Sequence, residues 1–301
     1  MPTVSVVIPT HNRGWFLKEA IDSVLDQDFE DFELIVIDDG STDTTHELLK
    51  SYPRACVVTK EHGGVSAARN AGIAKATGRL IAFLDSDDLW MAGKLRAQIA
   101  FFESHPNARI CQTEEIWMRS GKRVNPKMRH SKPSGMIFER SLELCLVSPS
   151  AVMMRRGLFD EVGCFDETMP ACEDYDLWLR IACRFPIYLI DTPLVIKRGG
   201  HKDQLSMQPG LDRYRIYALV KILEKPPEGG LSATQRKAAI EALSKKCTIY
   251  AAGCLKRGRV DEAREYATLP LRFKNPNQRA TALRIDPVGQ REPLAEPGRN
   301  L

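Results

Sequence analysis

Three short apolar runs constrain this chain most, because each ends abruptly in polar residues suited to chemistry. Val4-Ser-Val-Val-Ile8 runs into Pro9-Thr10-His11-Asn12, Leu34-Ile-Val-Ile37 into Asp38-Asp39-Gly40, and Leu80-Ile-Ala-Phe-Leu84 into Asp85-Ser86-Asp87-Asp88. Continuous apolar runs of this length suit strands covered on both faces. Helical periods lie between them. Residues 14–27 carry Phe16, Leu17, Ala20, Ile21, Val24 and Leu25, a second helix starts at Ser41, and an Ala-rich third spans 65–76. Cys56–Thr59 adds a strand, and Gly78 suits a C-terminal helix cap. The alternating order predicts an α/β fold with a doubly wound, mostly parallel sheet and right-handed crossovers.

In such a sheet, ligands bind beyond the carboxyl ends of the strands. The three polar ends therefore converge on one edge. Acidic clusters placed side by side repel, and a hard divalent cation held by carboxylate oxygens relieves the repulsion. Asp38-Asp39-Gly40 also reads as ordinary turn chemistry. Three carboxylates in Asp85-Ser86-Asp87-Asp88, directly after a buried strand, are costly without a counter-charge. A further acidic group, Glu173-Asp174-Tyr175-Asp176, opens a helix predicted over 173–185. The helix dipole favours acids there, and the same field suits a carboxylate base. Spacing alone does not choose between the two.

Past Pro106 the pattern weakens. Residues 109–113, 187–190 and 194–196 read as strands, and 211–224, 232–257 and 259–268 as helices. Residues 117–136 carry six Lys/Arg and no acid, and read as a functional or mobile loop. The net charge of +4 is too mild to argue for nucleic acid. It is uneven, however: residues 212–301 hold 18 Lys/Arg against 10 Asp/Glu. That basic back is either a solvated helical face or a contact for anionic lipid, an anionic polymer or a partner. No run approaches the ~18 apolar residues of a membrane span. No secretion leader is visible, and the eight cysteines are scattered without metal or disulfide spacing. The expected location is cytoplasmic, with any contact at the inner membrane face peripheral.

Taken together the segments resemble family 2 glycosyltransferases of GT-A fold. The matching residues are Val4–Arg13, Ile35–Asp43, Gly63–Gly72, Phe83–Trp90, Gly163–Glu167 and Glu173–Arg180. The likeness stops near residue 207. It implies a GT-A domain over 1–207; the residues beyond it read as a helical extension over 208–272 and, with few apolar positions, a loose tail over 273–301. It also implies roles. Pro9, Thr10, Asp38 and Asp39 would line the nucleotide pocket, with Asp38 or Asp39 reading the base. Arg69 would sit near the sugar or diphosphate, and Asp85 would contact ribose or sugar. Asp87 would ligate magnesium or manganese. His201, in an Arg198-Gly-Gly-His201 segment one residue longer than the family's usual pattern, would complete that site. Asp174 would be the base, and Trp178 would face either core or acceptor.

The implied reaction moves a sugar from a nucleotide-sugar, commonly a UDP-sugar, to a hydroxyl of a glycan or lipid-linked glycan, with inversion. A retaining transferase and an inactive GT-A scaffold stay open as alternatives. No Gly-rich, Lys/Arg-bearing loop lies near residue 10 and no G-x-G-x-x-G follows the first strand, which disfavours nucleotidyltransferases and dehydrogenases. Residues 251–267 look like one tetratricopeptide-type hairpin, and a single unit is not a repeat array.

Overall fold

The computed structural model describes residues 1–201, 204–208 and 210–274; most of the expected tail, 275–301, lies outside the described residues. β1 (Val4–Thr10) is buried at every position. α1 (Gly14–Leu25), β2 (Phe32–Asp38), α2 (Thr45–Leu49), β3 (Ala55–Thr59), α3 (Val65–Lys75) and β4 (Leu80–Phe83) follow in the expected alternation. β1 pairs in parallel with β2 and β4, and β2 with β3. The register sets Thr10 opposite Asp38, so the polar strand ends lie side by side.

Gly78 is not a helix cap. α3 ends at Ala76 in extended backbone, and Gly78 is required by crowding, since a Cβ there would lie 2.7 Å from the Ser5 nitrogen. Gly72 acts similarly: a Cβ would lie 2.3 Å from Val7 Cγ1, so α3 seats directly on β1.

The second half contains β5 (Leu89–Trp90), α4 (Lys94–Ser104), β6 (Ile110–Arg119), β7 (Lys122–Val124), α5 (Phe138–Ser141), β8 (Val152–Arg155), α6 (Leu158–Val162), α7 (Glu173–Ala182) and β9 (Ile187–Gly199). α8 (Leu211–Glu224), α9 (Ala233–Lys256), α10 (Val260–Thr268) and α11 (Leu271–Lys274) close the described chain. The sheet order is β3-β2-β1-β4-β8-β6-β9-β5, with β7 beside β6. β8 runs antiparallel to both of its neighbours, β4 and β6.

Three further expectations change. β6 extends well past Thr113 because it pairs in parallel with β9 as far as Arg119 opposite Gly199. The two short strands expected over 187–196 are one strand, β9, with register shifts against β6 around Glu114. The polar segment 117–136 begins as a β-hairpin, Trp117 opposite Val124, and continues through a 3₁₀ turn, Met128–His130.

One buried core runs from Val7 and Phe83 through Trp178 to Leu219, Leu243 and Tyr266, so the C-terminal helices share their core with the sheet. Trp178 is a core residue. A second core on the opposite face joins Leu17, Ile21, Leu95 and Phe102. Among the described residues, no helix is long and apolar enough to cross a membrane.

Candidate active site

The turn after β4 is held by its own acids. Asp88 is buried; its carboxylate accepts from Ser150 Oγ at 2.6 Å and from the Arg198 backbone N–H at 2.9 Å. Ser150 Oγ also accepts from the Asp85 N–H at 3.1 Å. With Asp88 anchoring the turn, Asp85 and Asp87 are left partly exposed. Burial and the neighbouring Asp85 push the Asp87 carboxyl up, against Arg13 and His201.

Asp87 Oδ2 lies 2.8 Å from His201 Nε2. That separation is roughly what two neighbouring ligands, each about 2.1 Å from one ion, adopt. One carboxylate and one imidazole fit a divalent cation, and the imidazole favours a first-row transition ion over magnesium. Asp87 and His201, the two expected ligands, are therefore together and suited to a metal.

Arg69 joins the turn to α7. It is buried in α3; Nη2 donates to Asp85 Oδ1 at 2.7 Å and Nη1 to Glu173 Oε1 at 2.5 Å. The guanidinium also stands 5.2 Å over the Phe165 ring. Burial, opposed by Arg69 and reinforced by Asp174, pushes Glu173 up to about 7. Cys172 precedes α7 with φ 61°, an uncommon backbone for a side-chain-bearing residue. This bend makes Glu173 and Asp174 the first residues of the helix. Asp174 Oδ1 accepts from the Tyr175 N–H at 2.7 Å and Oδ2 from the Cys145 thiol at 3.4 Å. Burial and Asp174 push that thiol well up, so it remains a donor.

At the end of β1, Pro9 and Thr10 are buried. Asp38 Oδ1 accepts from the Ser41 N–H at 3.0 Å, a local turn bond. Asp39 does more. Its buried carboxylate accepts from Lys60 Nζ at 2.7 Å and from the N–H groups of Gly63 and Gly64 at 3.0 and 2.8 Å. Burial would raise its pKa, but Lys60 and the two glycine N–H groups outweigh that and hold it low. His11 and His62 stack at 4.1 Å, and their Nδ1 atoms lie 2.8 and 3.1 Å from the Asp39 carbonyl oxygen. Ligand-type atoms of His11, Asp39 and His62 fall within 4.8 Å of one another. With so many donors already on Asp39, this trio is a hydrogen-bonded joint between the end of β1 and the loop before α3.

A model of the family described as Glycosyl transferase family 2 matches residues 5–163. The chain belongs to glycosyl transferase family 2. An uncharacterised glycosyltransferase of Rickettsia prowazekii is 34 % identical to this family 2 chain over 211 residues, covering 68 % of the chain and just under two thirds of that relative (66 %). The UDP-Glc:alpha-D-GlcNAc-diphosphoundecaprenol beta-1,3-glucosyltransferase WfgD of Escherichia coli is 33 % identical over 184 residues, 59 % of this chain and 69 % of that one. Among solved structures, S. aureus TarS 1–349 in complex with UDP-GlcNAc superposes with a TM-score of 0.62 at 17 % identity, covering 88 % of this chain and 90 % of that one. A mannosyltransferase from Pyrobaculum calidifontis in complex with GDP-Man and Mn2+ gives 0.57 at 19 %, covering 91 % and 81 %. At these identities the likeness is one of fold, GT-A-like with C-terminal helices.

This family 2 chain also holds groups that sequence reasoning missed. Glu173 stood inside a recognised motif, yet its pairing with Arg69 had no sequence signal. Lys197, on β9, is half-buried with Nζ donating to Ser148 Oγ at 3.2 Å. Burial would lower its pKa, but Glu115, Asp88 and Asp85 push it up. Glu115 is buried against Lys132 at 3.0 Å, and Lys132 and Lys197 overcome burial to hold it down at about 2. Lys197 thus sets a cation against the acidic turn.

Proposed function

We propose that this protein is a metal-dependent, inverting transferase that moves a sugar from a nucleotide-sugar, a UDP-sugar first, to a hydroxyl of a glycan or lipid-linked glycan. The observation that carries this reading is a continuous line of contacts. His201 meets Asp87, Asp85 meets Arg69, Arg69 meets Glu173, and Asp174 follows in the same helix turn. A metal-type pair and a partly exposed carboxylate thus stand at the two ends of one rigid assembly.

A divalent cation held by Asp87 and His201 would carry the charge that develops on the departing diphosphate. Arg69 has both terminal nitrogens on carboxylates, so its part is to hold Asp85 toward ribose or sugar rather than to grip phosphate. Asp174 takes the proton from the acceptor hydroxyl. That oxygen bonds to the anomeric carbon from the face opposite the diphosphate, the bond to the diphosphate oxygen breaks, and the centre inverts. Proximity and orientation supply much of the acceleration. WfgD, which by its name uses UDP-Glc and a diphosphoundecaprenol-linked sugar, supports the donor and acceptor classes.

The test is a thermal shift with UDP, GDP, ADP and CMP, each with and without manganese. A ligand at about a hundredfold excess over Kd adds about 2.7 kcal/mol to folded-state stability. A UDP shift that requires manganese is the expected result. A metal-dependent shift with another nucleotide changes the donor, and no shift with any nucleotide overturns the reading.

A further inference from the structure

We infer that the β6–β7 hairpin and the 3₁₀ turn after it form a docking surface for an anionic bilayer. Arg119, Lys122, Arg123, Lys127 and Arg129 are all exposed, and residues 117–136 contain no acid to offset them. At the 3₁₀ turn Met128 is 87 % exposed, between Lys127 and Arg129. Cations alone would suit any polyanion. A bare apolar side chain set among cations suits a membrane interface, which offers anionic headgroups and an acyl boundary together.

The segment is built to present these groups. At one end the Ser120 N–H donates to the Gly199 carbonyl at 3.2 Å, at the close of the β6–β9 ladder. At the other end Lys132 is buried, donates to the Thr113 carbonyl at 2.9 Å and pairs with Glu115. Clamped at both ends, the backbone that carries the cations is held in place before any contact, which lowers the ordering cost of binding. The same end of β9 leads within two residues to His201, so the surface lies beside the proposed metal pair. Its use, bringing that site to a lipid-linked acceptor, rests on the proposed function. Its existence does not.

The experiment is co-sedimentation of the full chain with vesicles of phosphatidylcholine alone and of phosphatidylcholine mixed with phosphatidylglycerol. Binding to the anionic vesicles only, weakening as salt rises, is expected. Each cation near such a surface is worth about a five-fold change in partitioning, so Lys122→Glu/Arg123→Glu should weaken binding by at least about 25-fold. Met128→Ser should weaken it several-fold with charge unchanged. Lys256→Glu/Arg257→Glu, at the far end of α9, should bind as wild type. All these positions are exposed, and unchanged melting temperatures would show that the variants fold.

Equal binding to neutral and anionic vesicles, or hairpin variants that bind normally, overturns the inference. So does a loss confined to the α9 pair, or vesicle binding that Met128→Ser leaves untouched. Vesicle binding without a UDP shift defeats the proposed function alone. A UDP shift without vesicle binding defeats this inference alone.

Discussion

Glu173 Oε1 accepts a hydrogen bond from Arg69 Nη1 at 2.5 Å, and both side chains are buried. Removing one partner of a buried pair strands the other charge, at a cost of about 3–5 kcal/mol. Arg69→Met should therefore destabilise the protein by roughly that amount, since it strands Glu173 and frees Asp85. Adding Glu173→Gln to Arg69→Met should recover part of the loss. Urea melts of the single and double variants measure it, and strictly additive losses would refute the coupling.

The same pair predicts a pH dependence. Glu173 is pushed up from an ordinary 4.5 to about 7. Between those values the folded state holds more protons than the unfolded chain, so stability falls as pH rises. Its contribution is full below about pH 4.5 and is lost through about pH 7. Glu173→Gln should flatten that part of the melting-temperature profile, and an unchanged slope would assign the titration elsewhere.

Asp174→Asn removes the proposed base while keeping the shape of the first turn of α7. Transfer should fall by about 10²–10⁴-fold. The manganese-dependent UDP shift should persist, because binding does not require the base. Transfer at the wild-type rate would take Asp174 out of the mechanism.

His201→Ala should abolish the manganese-dependent UDP shift or raise the manganese concentration needed for it. Titrating manganese against the UDP-induced shift in wild type and variant checks this. Chelator treatment of the wild type should reproduce the variant's behaviour. An identical manganese curve in the variant would place the ion elsewhere.

Lys94 is completely buried, with Nζ on Gln98 Oε1 at 2.6 Å and 4.0 Å from the Trp90 ring centroid. Burial lowers its pKa from 10.5 to about 7, against a small opposing pull from Cys111. In that window the unfolded chain binds the extra proton, so stability rises with pH. Lys94→Met should raise the melting temperature, most at or below about pH 7, and remove the slope. A lower melting temperature at every pH would show that Gln98 and Trp90 need the ammonium.

Much of the first half of the sheet was legible in the sequence because burial on both faces leaves β1, β2 and β4 with little polar content. Their acidic ends then stand out, and a parallel sheet places them together. β8 was not legible: Val152–Arg155 is only four residues and follows a stretch with no period. β6 beyond Thr113 was hidden by its polarity, since Glu114 to Arg119 is held by pairing with β9 and not by a buried face. The meeting of Asp87 with His201 came from the family pattern despite the extra residue between Arg198 and His201. The pairing of Glu115 with Lys132, and the setting of Lys197 against the turn, depend on the β6–β9 register, which no local signal reports.

The notch at Gly72 has a practical consequence for redesigning the proposed site. With α3 pressed onto Val7, the helix cannot slide or roll, so Arg69 is indexed against the strand that ends in Pro9 and Thr10. A library that varies α3 around Arg69 can therefore change shape and charge without losing alignment only if Gly72 is kept fixed.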